Sequence, residues 1–399
     1  MTPPTPIHKA EISTKDIKKD KIAIVVTTVT VVYCFLRPHL NKLSELYDVT
    51  LLLKNDAPEL LSEMALPVRI IEVPIERKIK IIADIKTVIK MFVIFRRECF
   101  KSVHTITPKA GLLGNTASFL ARTPIRIHTF QGEVWTNTSG FVRKFFIFLD
   151  KIVALLATNI TVVSHSERDF LIKEKILKNG QAKVLGAGTI GGIDLDRFSS
   201  KPEQKQLARS RAGYIDNDIV FAYVGRLNTD KGLNILTDAF YSLFPNHNNA
   251  RLLIIGPDED GTGEKLKYFS SQFASGVVII LPFMKNPETS LILADVLVLP
   301  SFREGFGLVI MEAAAMGIPA IGSNIYGISD AIQDGKTGLL FTVRDSNDLC
   351  IKMKNMIIQN EKRKKLGVCA YERVARSFSQ DIILDHFIEY YRSLPFEQY

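Results

Sequence analysis

The sequence predicts an α/β protein of two doubly wound, parallel-sheet domains facing one another across a cleft. Three observations predict it. Apolar runs of strand length alternate with helix-length amphipathic segments along most of the 399 residues, the pattern of a parallel sheet with helices on its faces. The length suits two ordinary domains, and a 46% hydrophobic composition can fill two cores. Late in the chain, Asp295-Val-Leu-Val-Leu-Pro300 leads through a turn with Gly305 and Gly307 into the helix-forming stretch Leu308 to Met316. Strand, glycine-bearing turn and helix place a crevice at the carboxyl end of a strand.

The elements follow in order. Residues 1–20, rich in Pro, Thr and Lys, read as a flexible leader without the apolar core of a signal peptide. Lys21 to Thr27 is the first strand; residues 28–37 carry no glycine, and a helix is expected to Leu46. Asp48 to Leu53 and Val68 to Val73 read as further strands. Between Ile79 and Phe92, apolar residues at 81, 82, 85, 88, 89 and 92 have helical spacing. Arg77, Lys78, Lys80, Lys86, Lys90, Arg96, Arg97 and Lys101 make this segment basic. Its apolar stripe is expected to pack on the sheet, with the cations solvated or resting on anionic lipid. Val103 to Thr107 is a strand entering the turn Pro108-Lys109-Ala-Gly111, and the strand from Ile125 leads to Gln131-Gly132. His128 falls inside that strand pattern, where a core histidine is the expectation. Phe141 to Ala157 is an aromatic-rich helix expected as a domain wall, with a run that could also border a lipid-tail groove. Asn159 to Ser164 closes the first half, and Ser164 or Ser166 starts the next helix. The glycine-rich stretch Lys183 to Phe198 follows. The second half repeats the alternation: strands at Val220–Val224, Ala250–Ile255, Val277–Leu281 and Val296–Leu299 alternate with helices at Leu233–Leu243, Glu264–Phe273 and Glu288–Leu293. A last helix runs from Asp381 to Leu394. The division is therefore 21–190, a hinge at 191–200, 201–375, and a terminal segment 376–399.

The late crevice has the chemistry of an anion site. Gly305 and Gly307 admit a close-lying ligand, and the first-turn amides of the helix, from Phe306 and Leu308 onward, point at an anion. Glu304 stands at the mouth and Glu312, eight residues on, about two turns deeper; a carboxylate accepts both hydroxyls of a vicinal diol. Arg226 and Lys231 follow the strand ending at Gly225 and are five residues apart across a turn, so both can reach one diphosphate. Taken singly, each of these residues would read as a solvated surface charge.

The element Glu304-x7-Glu312, the block Ile219 to Gly232 with Gly225-Arg226 and Lys231-Gly232, and the segment Asp334-Gly-Lys-Thr-Gly338 resemble, in the same order, the signature of the retaining GT-B glycosyltransferases of family 4. The resemblance covers roughly residues 21–395. It implies two Rossmann-like domains, the first binding acceptor and the second a nucleotide-sugar, with Glu304 facing the donor sugar and Glu312 the ribose. Phe283, just after a strand, stands where the family holds the base. Lys183 to Phe198 is similar to the family's hinge, and the last helix would cross back to the N-terminal domain. Lys109 and Gln131 lie in turns resembling the acceptor side of the polysaccharide-assembly branch, with His128 nearby. Relatives often carry histidine at the place of Gln131, which can hydrogen-bond a sugar but cannot shuttle a proton. The expected activity is transfer of a hexosyl or N-acetylhexosaminyl group from a nucleotide-sugar, expected to be a UDP-sugar, to a glycan or polyprenyl-diphosphate-linked acceptor in O-antigen or capsule biosynthesis. A sugar-nucleotide epimerase and a non-catalytic nucleotide-binding protein are the rival readings.

No metal or other cofactor is expected. Asp194 and Asp196 form an Asp-x-Asp, but it sits in the hinge segment, and Asp258-Glu-Asp260 reads as a solvated acidic loop. Four cysteines without Cys-x-x-Cys spacing indicate neither a zinc site nor a disulfide framework. No apolar run reaches the ~18 residues of a membrane span, so a cytoplasmic location is expected. Residues 1–190 hold 28 Lys and Arg against 17 Asp and Glu, a net +11; the rest hold 23 against 25, a net −2. That basic half lacks nucleic-acid-binding motifs, and an anionic membrane surface is its expected partner.

Overall fold

The computed structural model describes residues 19–76 and 79–398. The leader up to residue 18, together with Arg77 and Lys78, lies outside the described residues. The chain forms two wholly parallel sheets. In the first, β1 (Lys21–Thr28), β2 (Asp48–Lys54), β3 (Arg69–Glu72), β4 (Ser102–Ile106), β5 (Ile125–Phe130), β6 (Asn159–Val162) and β7 (Ala182–Val184) stand in the order β3-β2-β1-β4-β5-β6-β7. In the second, β8 (Ile219–Val224), β9 (Ala250–Ile255), β10 (Val278–Leu281), β11 (Val296–Leu299), β12 (Ala320–Ser323) and β13 (Gly338–Phe341) stand in the order β10-β9-β8-β11-β12-β13. Both are doubly wound: order reverses beside β1 and beside β8, which opens a crevice at the carboxyl ends of β1/β4 and of β8/β11.

Strands covered on both faces must be apolar throughout, and the central ones are: Ile22 to Val26 in β1, Val220 to Tyr223 in β8 and Val296 to Leu299 in β11 are all buried. The helix Gln380–Arg392 crosses back to the first domain. Its Phe387 meets His39 edge-on at 4.5 Å, and the Tyr391 hydroxyl bonds His104 Nδ1 at 2.8 Å beneath β4. The crossing starts from the hinge, where Ile193 N donates to Phe378 O and Gln380 N to Ile193 O, both at 2.9 Å.

The segment after β1, without glycine, is helical: Val29–Val31, then a π-helical turn Val32–Leu36 running into the helix Arg37–Leu46. It packs inward through Val32, Leu36 and Leu40.

The basic helix spans Ile81–Glu98, but its isoleucine stripe does not pack on the sheet. The buried line is Thr87, Met91 and Phe95, with Val88 and Phe92 beside it. Two polar residues set this rotation. Asp84 accepts from Lys80 N at 3.1 Å and Lys109 Nζ at 2.7 Å, and Thr87 Oγ1 donates to Pro74 O at 3.0 Å. Ile81 and Ile82 are left 71% and 74% exposed, with Ile85, Ile89 and Val93 also outward. On the helix Gly140–Leu156, Phe141, Phe148 and Leu155 face solvent likewise, while Val153 and Ala154 pack inward. Among the described residues no helix is long and apolar enough to cross a membrane.

Candidate active site

β11 ends at Leu299, and Pro300 to Gly307 form the turn into the helix Leu308–Ala315, whose N-cap Gly307 has φ 81°. Within that turn Ser301 is fully buried and donates to Glu304 Oε1 at 2.8 Å. The same oxygen takes the Lys231 ammonium at 2.5 Å, with both side chains mostly shielded. Lys231 reaches it because the chain after β8 makes a short turn, Thr229–Lys231, closed by Gly232 at φ 64°. A Cβ at Gly232 would lie 2.1 Å from Pro300 O, so only glycine lets the two loops pack this closely. Spacing places Lys231 with Arg226 on one diphosphate; in this structure the Lys231 ammonium is instead paired with Glu304, across two loops.

Arg226 is held elsewhere. Its guanidinium bonds Glu259 at 2.6 Å, and the same carboxylate oxygen accepts from Asn228 Nδ2 at 3.0 Å. Asp260 accepts from Thr229 N and Oγ1 at 2.9 and 2.8 Å, and these bonds with those of Thr262 hold its carboxyl down at about 2. Asp258-Glu-Asp260 reads in the sequence as a solvated acidic loop; two of its carboxylates instead tie down the loop that carries both cations. The Arg226 pair is half-exposed, where an ion pair contributes little, so its guanidinium can turn to a stronger anion.

Glu312 lies one helix face deeper. Burial pushes its carboxyl up to about 7, against the opposing charge of Arg197. Arg197 donates to Glu288 Oε2 and Lys285 O, both at 3.0 Å, and so joins the hinge to the loop that follows β10. Sequence reasoning passed over Arg197, although it is the arginine of the hinge stretch Gly192-Ile-Asp194-Leu-Asp196-Arg197-Phe198. Asp194 accepts from the Asp196 and Arg197 amides at 3.0 Å each and thereby closes its own turn. In the same loop after β10, Phe283 is half exposed and Tyr33 donates to Lys285 O at 3.3 Å from the other domain.

The opposite wall is the turn after β5. Gly132 (φ 88°) and Gly305 touch through their backbones: a Cβ on Gly132 would lie 2.9 Å from Gly305 N, and one on Gly305 2.7 Å from the Gln131 carbonyl carbon. Gln131 thereby stands beside Glu304. Beneath, Glu167 accepts from Gly132 N, and from Val163 N at 3.0 Å. Ser164, not Ser166, caps this helix, its Oγ accepting from Glu167 N at 3.1 Å. Ser166 is thereby released to bind across the cleft, donating to Asp330 and accepting from Gly327 N at 2.8 Å. Tyr326 stacks on Phe170 at 4.6 Å and hydrogen-bonds Thr136 at 3.0 Å. Glu133 and Glu167 are both buried. Desolvation and their mutual repulsion push the Glu167 carboxyl well above the carboxylate range, and burial pushes Glu133 up to about 7. Of these clamp residues the sequence marks only Ser164 and Ser166, as helix starts, and Gly132, as a turn; Glu133, Glu167, Tyr326 and Asp330 carry no local signal.

The acceptor-side placings of His128 and Lys109 are corrected, while the reading of His128 as a core histidine stands. His128 does not face the cleft: it is buried, bonded to Thr105 Oγ1 at 2.9 Å and packed on Phe130 at 4.5 Å, and burial holds its imidazole down at about 3. Lys109 is drawn to Asp84, with only 12% of its side chain accessible, because its helix packs against the helix Ile81–Glu98. The part of Phe306 named by the sequence reading is its amide, and its ring is buried against Phe378 at 5.4 Å. Gly225 follows β8, and Gly305, Gly307 and Leu308 follow β11, at the carboxyl ends of the two strands that flank the crevice.

Two parallel-sheet domains meeting across a charged, glycine-lined cleft define the GT-B class of glycosyltransferase. Residues 204–373 match the family described as Glycosyl transferases group 1, and residues 40–188 the Glycosyl transferase 4-like domain. The chain is 30% identical over 325 residues to the capsular polysaccharide biosynthesis glycosyltransferase CapM of Staphylococcus aureus, covering 80% of this chain and 84% of that one. It is 28% identical over 306 residues to the UDP-Gal:alpha-D-GlcNAc-diphosphoundecaprenol alpha-1,3-galactosyltransferase of Escherichia coli, covering 76% and 78%. Among solved structures, Anabaena Alr3699/HepE, in complex with UDP and glucose, superposes with a TM-score of 0.77 at 20% identity, covering 94% of this chain and 100% of that one. WaaG, a glycosyltransferase involved in lipopolysaccharide biosynthesis, gives 0.70 at 14%, covering 91% and 98%. The chain belongs to the family-4-type GT-B glycosyltransferases.

Arg226→Ala and Lys231→Ala are each expected to weaken UDP binding and slow transfer by roughly 10- to 150-fold, the equivalent of about 1.5–3 kcal/mol for a charged hydrogen bond. Calorimetric titration with UDP checks this, and unchanged affinity in both variants would remove the diphosphate assignment.

Glu312 is protonated below about pH 7 and charged above it, and only the charged form accepts two hydroxyls. UDP affinity should therefore rise from about pH 6 to about pH 8 more steeply in the wild type than in Glu312→Gln. Parallel pH profiles would refute the ribose contact.

Proposed function

We propose that this chain transfers a hexosyl or N-acetylhexosaminyl group from a UDP-sugar, with retention of anomeric configuration, to a polyprenyl-diphosphate-linked or glycan acceptor in surface-polysaccharide assembly. The observation that carries this reading is the shielded Lys231–Glu304 pair at 2.5 Å, beside the helix N-terminus at Gly307 and facing the Gln131–Gly132 turn. Lys231, Arg226 and the first-turn amides would stabilise the departing diphosphate without reorganisation. Glu304 would accept donor-sugar hydroxyls, and Glu312 with Arg197 would hold the ribose end. Gln131 cannot take a proton, so in this reading the departing phosphate oxygen takes it from the acceptor hydroxyl while the new glycosidic bond forms on the same face. The functions of the two relatives, in capsular polysaccharide biosynthesis and in galactosyl transfer to a diphosphoundecaprenol-linked sugar, support the substrate class.

We assign no metal to the reaction. With UDP-sugar and a lipid-linked acceptor, transfer is expected to persist in EDTA and to give a product of the donor's anomeric configuration by NMR. Loss in EDTA with rescue by Mn²⁺, or an inverted product, would overturn the mechanism; donor conversion without acceptor would make the protein an epimerase.

The outward isoleucines on Ile81–Glu98 and outward Phe141, Phe148 and Leu155 on Gly140–Leu156, interspersed with Lys86, Lys90, Arg97, Lys144 and Lys151, support a peripheral seat on the anionic cytoplasmic face of the membrane. Each surface cation adds ~1 kcal/mol to such binding, screened by salt. Co-sedimentation with anionic liposomes should fall on replacing Lys80, Lys86, Lys90 and Arg97 by Ser. It should also fall on replacing Ile82, Ile85 and Phe141 by Ser, with UDP affinity unchanged in both. Absence of wild-type binding at low salt would leave a soluble acceptor as the reading.

A further inference from the structure

The loop that carries Arg226 and Lys231 has a second side. A cavity of about 520 Å³ lies there, between the first turns of the helices Leu233–Leu243 and Thr262–Ser270. The size is that of a site for a small organic ligand. Its floor is apolar, formed by Leu233, Leu266, Phe269 and Phe302, and its rim carries acceptor oxygens: the Thr229 and Thr262 hydroxyls, whose protons go to Asp260, and the Asn228 amide oxygen, whose Nδ2 donates to Glu259. Two cations complete the lining, Lys265 and Arg344, and no carboxylate does. Neither cation forms an ion pair among the described residues, in a half of the chain whose net charge is −2. The Arg344 guanidinium lies 4.0 Å over the Phe302 ring and so occupies the aromatic face on which a base would otherwise stack. Asn228 Oδ1 is shielded from solvent and has no hydrogen-bond donor. The first turn of Leu233–Leu243, whose N-cap Gly232 has no side chain to cap it, adds amide donors at a positive helix end.

We propose that this cavity is a second ligand site for a phosphorylated sugar, distinct from the cleft. Lys265 and Arg344 take the phosphate, and the Thr and Asn rim takes the hydroxyls. A neutral sugar leaves two cations unanswered, and inorganic phosphate leaves the rim and the apolar floor empty. The site is coupled to the cleft by construction. Asn228 and Thr229 lie between Arg226 and Lys231, and Phe302 lies two residues before Glu304. An occupant therefore shifts the groups that hold the diphosphate. This coupling, though not the binding, rests on the function proposed above.

The test is calorimetric titration of the full chain with glucose 6-phosphate while saturating UDP occupies the cleft. One site per chain is expected, weakened about tenfold or more by Lys265→Glu and by Arg344→Ala, with glucose and inorganic phosphate each binding about tenfold more weakly than glucose 6-phosphate. Lys265 is exposed, so its replacement leaves the fold intact. Undiminished affinity in both variants, displacement by UDP mole for mole, or no saturation by about 10 mM overturns the site, and equal affinity for inorganic phosphate overturns the sugar assignment. Glucose 6-phosphate should change the KM for donor at least twofold in the wild type and not in Lys265→Glu. Binding without that change sinks the coupling, while binding in a protein that transfers no sugar sinks the proposed function and leaves the site standing.

Discussion

Gly132 and Gly305 lie backbone to backbone across the cleft, and neither position has room for a Cβ. Both loops around them are braced from behind. Glu167 holds the Gly132 amide from the first domain, and Gly327, packed on the Glu304 and Gly305 carbonyls, backs the other. This contact fixes how closely Gln131 approaches Glu304, and so the space left for a reacting sugar. Ser166 with Asp330 and Tyr326 with Phe170 surround the contact with small polar and aromatic contacts between the domains. Interfaces of that kind allow relative domain motion, while the crossing helix Gln380–Arg392 keeps the two domains tethered.

Charge in the cleft is arranged by depth. Lys231 and Glu304 neutralise one another where solvent is partly excluded, whereas the more exposed Arg226 is lent to Glu259. Deeper groups avoid charge: burial raises the carboxyls of Glu312, Glu133 and Glu167 and lowers the imidazoles of His39, His104 and His128. A buried charge without a close partner is costly, so proton affinity adjusts instead. Arg226 and Lys231 thus stand together at the cleft mouth, which leaves it attractive to a diphosphate.

The outer surface of the first domain follows a different rule. The helix Ile81–Glu98 could bury either its isoleucines or the line Thr87–Met91–Phe95. Asp84 and Thr87 decide for the second, because each reaches a partner outside its own helix on the inward side, Lys109 and Pro74 O. The isoleucines then face outward among lysines, and an anionic bilayer is the proposed seat that satisfies both.

Sequence alone determined the features that depend on near neighbours in the chain. Strand and helix alternation follows from periodicity, and the parallel sheets follow from runs apolar on both faces. The Glu304–Glu312 element could be read because its residues share one turn and one helix. Arg226 and Lys231 could be read because they share one loop, and His128 reads as a core residue because it falls inside a strand. Tertiary structure decided everything carried by residues far apart in sequence. Lys231 meets Glu304 over 73 positions, Arg226 meets Glu259 over 33, and Ser166 meets Asp330 over 164. It also decided which of two apolar lines a helix buries, and that Lys109 faces Asp84 instead of a sugar. The physical reason is common to all of these: hydrogen-bonding partners and desolvation are properties of a place in space, and local sequence carries only the residue's own preferences.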